Sequence, residues 1–263
     1  ATGAKAVASS ASSAAIRAAA TEGRPAVVGF MTAGFPDRSG FSASLRAIAS
    51  AADVVEIGVP FTDPMADGLT IQRSSREALA QGVTLRWILD ELAAMQAVNA
   101  PLLLMSYLNP LLAFGFAELA MAAEHARVAG FIVPDLPFDE GSELQRALEA
   151  RGIALVQMAT PVTTPERLAK VCGASRGFVY AVTMTGTTGK NVAVPDNVIA
   201  YLDRVRAVSP VPVCAGFGIR SREQVARLAG HVDGVVVGSA LVEVLERGED
   251  PAAWLRTLRP GAG

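Results

Sequence analysis

The sequence predicts a closed barrel of eight parallel strands surrounded by helices, a (β/α)8 or TIM barrel, with an extra helix at its N-terminus. Eight short apolar runs recur along the 263 residues, and most lack the polar alternation of a half-exposed strand. Segments with helical periodicity separate these runs, as the barrel requires. The first run lacks the glycine-rich sequence that typically follows strand 1 of a doubly wound sheet, which is the competing fold.

Each strand is predicted by a run rich in Val, Ile, Leu or Phe, which is typical of strands buried on both faces. The runs lie at residues 26–31, 54–58, 102–106, 130–134, 154–158, 178–183, 211–215 and 234–238. Helices are expected at residues 12–22, 42–51, 85–98, 117–129, 142–151, 164–172, 195–208 and 222–228. Ser221 and Pro165 stand where helix-start signals are expected. Because no linker interrupts the pattern, we expect one domain over residues 1–263, with residues 1–11 frayed.

Composition limits the classes of partner. A net charge of -2 and a pI near 5.8 argue against nucleic acid. No run is apolar and long enough to cross a bilayer, and the Ala/Ser-rich start lacks the apolar block of a secretory signal, so we expect a cytoplasmic protein and no membrane partner. Cys172 and Cys214 are expected to be reduced packing thiols. His125 and His231 are too few and too far apart in the chain for a metal site.

The second predicted strand carries the most informative residue, Glu56. Period-two alternation places Glu56 on one face with Val54 and Gly58. If Val54 fills the barrel interior, Glu56 points into its mouth, where apolar surroundings raise the pKa of a carboxyl and suit it to proton transfer. The alternative is a structural Glu paired with a buried Arg or a backbone donor.

The loop after this strand carries two more carboxylates, Asp63 and Asp67. Loops at the carboxyl ends of barrel strands hold the active site. Taken alone, either aspartate is more simply explained as a cap for a turn or for the next helix. Tyr180, in the sixth strand, shares a face with Phe178 and Val182. By itself it is more simply a core tyrosine with a satisfied hydroxyl.

Glycines follow the seventh and eighth strands. Gly218 lies after strand 7, and Gly238 and Ser239 lie where strand 8 opens the last helix. Glycine lets backbone N–H groups approach an anion closely, and a helix N-terminus favours its negative charge. Either glycine alone fits an ordinary tight turn, but the pair at these two strands favours a phosphate ligand. No lysine accompanies them, so neutral donors are expected to hold it.

The thirteen residues 56–68, EIGVPFTDPMADG, closely resemble a motif of the tryptophan synthase α-subunit family. The resemblance covers nearly the whole chain. It includes Phe30 with TAG at 32–34, YLNP at 107–110, VPDLP at 133–137, Tyr180 with Thr188 and Gly189, GFGI at 216–219 and VGS at 237–239. Three departures stand out: Leu69 where the family often has Pro, Phe35 where Asp is common, and substitutions within residues 183–190.

The resemblance implies a (β/α)8 barrel that cleaves indole-3-glycerol phosphate into indole and glyceraldehyde 3-phosphate. By the same resemblance, Glu56 and Asp67 are catalytic. The implied substrate-binding residues are Phe30, Ile132, Tyr180, Thr188, Gly189, Phe217, Gly218, Gly238 and Ser239. Asp63, Asn109 and Pro110 would face a pyridoxal-phosphate β subunit in an α2β2 complex. No cofactor is expected in this chain itself.

The residues fit this chemistry. Many aldolases use a Schiff-base lysine or a metal, yet no lysine lies at a predicted strand end unless Lys190 folds in. Protonation of indole at C3 offers another route, with Glu56 moving the proton and Asp67 stabilising the positive ring N–H. Three rivals stay open: an isomerase or synthase on a related phosphate-binding barrel, a non-catalytic allosteric subunit, and a stand-alone lyase.

Overall fold

The computed structural model describes residues 10–183, 194–216 and 218–259. Its eight strands form a closed parallel barrel in chain order, with β1 paired to both β2 and β8. The strands are β1 Ala26–Thr32, β2 Val54–Gly58, β3 Leu102–Met105, β4 Val128–Ile132, β5 Ala154–Ala159, β6 Val179–Val182, β7 Val213–Gly216 and β8 Gly234–Val237. The predicted fold class is therefore confirmed.

Helices follow each strand within the described residues. They are α1 Ala11–Thr21, α2 Phe41–Ala49, α3 Leu69–Ala80, α4 Leu85–Ala94, α5 Leu108–Phe114, α6 Phe116–His125, α7 Ser142–Glu149, α8 Pro165–Ala174, α9 Asp196–Val208, α10 Arg222–Leu228, α11 Ser239–Glu246 and α12 Pro251–Thr257. A 3-10 turn, Phe138–Glu140, precedes α7. α5 and α12 were not predicted from the sequence.

Among the boundaries that differ from the prediction are the end of α4 and the start of β4. The predicted helix 85–98 is too long, because α4 ends at Ala94. The guanidinium of Arg127 donates to the carbonyls of Leu92 and Met95 at 2.8 and 2.6 Å, and so caps the last turn. β4, which directly follows Arg127, begins at Val128, two residues before its predicted start.

The barrel interior holds an apolar cluster and is closed at its amino-terminal end. Its members are Ala26, Val28, Val54, Leu103, Ile132, Val156, Phe178, Cys214 and Val236. The extra N-terminal helix, α1, completes this cluster by burying Ile16 and Ala19 against it. The Ser13 hydroxyl, which donates to the carbonyl of Gly177, fixes the helix there. With the amino end plugged, the polar side chains of the interior face the carboxyl end.

A second layer of apolar side chains lies between the strands and the outer helices. It contains most of the buried apolar residues that the structure describes, and it holds the strands in the positions from which their loops project. Cys172 and Cys214 are both free thiols and both buried, as predicted.

Candidate active site

Glu56 lies at the centre of β2 on the interior face, two residues after Val54. It is 1 % exposed, and its Oε2 atom has no hydrogen-bond partner among the described residues. Burial raises the pKa of this carboxyl from 4.5 to about 8, and the negative charge of Asp67 adds to the rise. Among the described residues, Glu56 forms no ion pair. The alternative explanation, that Glu56 is a structural residue paired with a buried arginine, therefore finds no support there. Near neutral pH, Glu56 therefore carries a proton.

Asp67 lies in the loop between β2 and α3. Its Oδ2 atom accepts a hydrogen bond of 3.2 Å from the Tyr107 hydroxyl, and its backbone carbonyl accepts one of 2.9 Å from Gln72. It does not cap α3, because Gly68 occupies the N-cap position without a side-chain hydrogen bond. Burial raises the pKa of Asp67 to about 6, and the hydrogen bond from Tyr107 opposes that rise. Between about pH 6 and pH 8, Asp67 is therefore mainly ionised while Glu56 is mainly neutral.

A small cavity lies between the carboxyl ends of β1, β2 and β3 and the first two turns of α3. It is lined by Phe30, Gly58, Val59, Asp67, Ile71, Ser75, Met105 and Tyr107. Gly58 is required by the shape of this cavity, since a Cβ there would lie 2.6 Å from Cζ of Phe30. The glycine lets the Phe30 ring lie against β2 and form an apolar wall. Glu56 precedes Gly58 by two residues on the same face of the strand.

Tyr180 and Ile132 face the interior from β6 and β4. Ile132 is fully buried in the interior cluster, and Tyr180 packs against that cluster. The pKa of the Tyr180 hydroxyl is raised well above 10 by burial and by the charges of Glu56 and Asp67. The structure therefore brings both predicted acids and Tyr180 within electrostatic reach of each other. A Cβ at Gly216 on the neighbouring β7 would lie 2.7 Å from the Tyr180 ring.

Two neighbouring strands present the predicted anion donors. Gly218 follows β7 with a φ of +68°, a conformation that favours glycine. Gly238 caps α11 without a side-chain hydrogen bond, and Ser239 is the first residue of that helix. Arg220, two residues after Gly218, is engaged elsewhere, since its guanidinium donates to both carboxylate oxygens of Glu243 at 2.7 and 2.8 Å. Gly218, Gly238 and Ser239 themselves offer only neutral donors, and that they hold an anion stays a prediction.

Comparison with known proteins decides the family. The family model described as tryptophan synthase alpha chain matches residues 16–258. The chain belongs to the tryptophan synthase alpha chain family. A relative from Desulfovibrio desulfuricans is 46 % identical over 244 residues, which cover 91 % of this chain and 96 % of the relative. Another, from Nitratidesulfovibrio vulgaris, is 44 % identical over 243 residues, covering 92 % and 95 %.

Solved structures agree with this assignment to the tryptophan synthase alpha family. An aminoacrylate-bound tryptophan synthase from Mycobacterium tuberculosis matches with a TM-score of 0.86 and 35 % identity, over 95 % of this chain and 98 % of that one. The tryptophan synthase alpha subunit of Legionella pneumophila matches with a TM-score of 0.85 and 29 % identity, over 95 % and 97 %. The family carries a lyase role in tryptophan synthesis.

Not every residue predicted from the tryptophan synthase alpha motif can be placed. Thr188, Gly189 and Phe217 lie outside the described residues. Asp63 is exposed in the loop after β2, where it accepts a hydrogen bond of 2.6 Å from Thr62. Asn109 is exposed and Pro110 is half-buried, both in the first turn of α5. None of these three residues lines the cavity beside Asp67.

The sequence reasoning missed Tyr107. This residue directly precedes α5, and its ring stacks on Phe61 with a centroid separation of 4.9 Å and an interplanar angle of 20°. Its signal was present in the YLNP motif, because an aromatic side chain with a polar tip stood at the carboxyl end of a strand. Only the folded chain shows that this tip reaches Asp67, forty residues earlier.

Two departures from the family pattern are apolar. Phe35 is 1 % exposed and packs in a cluster with Phe30 and Val242, so an aromatic ring fills the site where Asp is common. Leu69 is 82 % exposed at the start of α3.

Within the part of the chain that the structure describes, no group of three or more His, Cys, Asp or Glu could hold a metal ion. Over the same residues, no helix has the length and hydropathy for a membrane span.

Proposed function

We propose that this chain cleaves indole-3-glycerol phosphate into indole and D-glyceraldehyde 3-phosphate, with Glu56 and Asp67 as its catalytic residues. One observation carries the proposal. Two carboxyl groups share one barrel mouth, and their surroundings place one pKa near 8 and the other near 6. Such a separation is what a site needs when one acid must give a proton and the other must supply negative charge.

The proposed step balances within the substrate and Glu56. Neutral Glu56 donates its proton to C3 of the indole ring, which becomes a cation with its charge at the ring N–H. Ionised Asp67 stabilises that N–H. The carbon–carbon bond to the glycerol chain breaks, and its electron pair returns to the ring. The proton of the adjacent hydroxyl passes to Glu56, so that an aldehyde forms and Glu56 is neutral again.

The remaining predicted residues are proposed to bind and orient the substrate. Phe30, Ile132 and Tyr180 would flank the ring, with Phe217 implied by resemblance. Gly218, Gly238 and Ser239 would hold the phosphate with neutral donors, joined by Thr188 and Gly189. Anchoring the phosphate away from the breaking bond orients that bond toward Glu56. No cofactor takes part in this chain's step.

The direct test measures indole released from indole-3-glycerol phosphate by the purified chain. Glu56→Gln and Asp67→Asn should each lower kcat by ~10²–10⁴ while the circular dichroism spectrum stays unchanged. In the wild-type chain, kcat/KM should rise through a pKa of about 6 as Asp67 ionises and fall through about 8 as Glu56 loses its proton. Turnover retained by either variant would refute its assigned role.

We also propose that the product indole passes to a pyridoxal-phosphate β subunit in an α2β2 complex. Support comes from exposed apolar side chains that follow the carboxyl ends of β2, β3 and β5, the end at which the active site lies. They are Met65, Leu69, Leu112 and Val162. Asp63 belongs to the loop after β2 that also holds Met65, and Asn109 and Pro110 lie on α5 with Leu112. Adding a β subunit should increase the rate of indole release, and Met65→Glu should weaken that increase without changing the rate of the isolated chain.

A further inference from the structure

We propose that Tyr107 is a positioning residue for Asp67: its hydroxyl fixes one carboxylate oxygen and leaves the other for the ring N–H of the substrate. This inference rests on the proposed function of Asp67. It concerns how the loop after β2 gains a defined geometry, since no helix or strand contains Asp67. Both residues line the same cavity.

The hydroxyl proton of Tyr107 has one available direction. The backbone N–H of Ala66 donates to the Tyr107 oxygen at 2.9 Å, and an N–H can only donate. The hydroxyl therefore accepts there and directs its own proton to Oδ2 of Asp67, 3.2 Å away. Oδ1 of Asp67 has no hydrogen-bond partner among the described side chains. One oxygen is thus held, and within the described part of the chain nothing competes with a ligand for the other.

Tyr107 is itself held in place by burial, by ring stacking and by a backbone hydrogen bond of the next residue. It is 6 % exposed, and its ring stacks on Phe61 of the loop that carries Asp67. The next residue, Leu108, donates its backbone N–H to Asp135 at 2.8 Å, which ties the start of α5 to the loop after β4. A hydroxyl placed this firmly costs little further ordering when it orients its partner. Its position relative to Asp67 is therefore set before the substrate binds.

The hydrogen bond from Tyr107 also opposes the rise that burial causes in the pKa of Asp67. A donor to a carboxylate favours its ionised form and lowers its pKa. The other titratable groups that act on this pair electrostatically are Glu56 on β2, Tyr180 on β6 and Asp135 after β4. All three are acids, so none of them supplies the positive charge that would replace the hydroxyl. Removing the Tyr107 hydroxyl should therefore let burial raise the pKa of Asp67 further.

The test is Tyr107→Phe, which keeps the ring stacked on Phe61 and removes only the hydroxyl. A hydrogen bond to a charged group is worth enough for a loss in kcat/KM of roughly tenfold to a hundredfold. The acid limb of the pH profile should also move to higher pH, while the alkaline limb stays in place. Tyr201→Phe is the matched control: Tyr201 is a buried tyrosine of α9 whose hydroxyl has no partner among the described residues. It should change neither limb.

A double-variant measurement separates this inference from the proposed function. If Tyr107 acts through Asp67, Tyr107→Phe should cause no further loss in an Asp67→Asn background. Normal kinetics of Tyr107→Phe beside an inactive Asp67→Asn would overturn the positioning role and leave the proposed function standing. An active Asp67→Asn would remove the proposed function first. A slower Tyr107→Phe with an unmoved acid limb would also contradict the inference, because the hydroxyl would then act by another route.

Discussion

Replacing Glu56 by glutamine should stabilise the fold, and the gain should grow as the pH rises. Glu56 is 1 % exposed inside the barrel, and its pKa in the folded chain is raised from 4.5 to about 8. Below about pH 4.5 the carboxyl is neutral in both the folded and the unfolded chain, so it contributes no penalty. Between 4.5 and 8 the unfolded chain ionises it freely, whereas the folded chain must keep it protonated. The free energy of unfolding therefore falls over that window.

The size of this effect follows from the pKa shift. Each unit of difference between folded and unfolded pKa corresponds to about 1.4 kcal/mol, so the full shift is on the order of 5 kcal/mol by pH 8. Glutamine is neutral throughout and resembles the protonated acid in shape. The variant should therefore match the wild-type chain near pH 4.5 and exceed its stability by a growing margin above it. This margin is large beside the 5–15 kcal/mol by which ordinary domains are stable.

Urea unfolding followed by circular dichroism, repeated between about pH 5 and pH 9, measures this difference. The control is Glu118→Gln, a surface glutamate paired with Arg86 and 56 % exposed, for which the difference from wild type should stay small throughout. A stability difference between Glu56→Gln and wild type that does not change with pH would refute the reasoning. It would mean that Glu56 is not buried unpaired in the folded protein.

Two further substitutions test the shape of the site and its anion end. Gly216→Ala should lower kcat/KM by roughly tenfold or more, because the new Cβ would lie 2.7 Å from Cε1 of Tyr180 and would displace the ring; unchanged kinetics would show that the ring position is unimportant. Arg220→Gln should raise KM about fivefold, equivalent to about 1 kcal/mol, with little change in kcat. Its pair with Glu243 joins the loop after β7 to α11, the two segments that carry the proposed phosphate donors. An unchanged KM would show that this ion pair does not position those donors.

The fold was predictable because the strands of a parallel barrel are buried on both faces and therefore appear in the sequence as repeated apolar runs. The position of Glu56 followed from the same pattern, since alternation along a five-residue strand leaves two choices of face and Val54 decides between them. The end of α4 was not predictable in this way. It depends on Arg127, which reaches back across about thirty residues to cap carbonyls that local propensity would have continued into a helix.

The site was predictable in its residue types and only partly in its contacts. Asp67 taken alone had a simpler explanation as a helix cap, and the structure excludes it because Gly68 holds that position. The hydrogen bond from Tyr107 joins the loops after β2 and β3, and its geometry is set by where two strand ends meet. No local sequence pattern shows which strand ends meet. The YLNP motif therefore included Tyr107 without indicating its role.

The difference between the two acids arises from their depth in the barrel. Glutamic and aspartic acids are of similar strength in water, so the residue types alone give neither acid its task. Glu56 lies on a strand among apolar side chains and is almost fully desolvated, whereas Asp67 lies in a loop, is only half-buried and receives a hydrogen bond. The same burial that should weaken the fold above about pH 4.5 keeps the proton on Glu56 near neutral pH. A variant that relieved this instability by giving Glu56 a cationic partner would lower its pKa and so remove the proton on which the proposed cleavage depends.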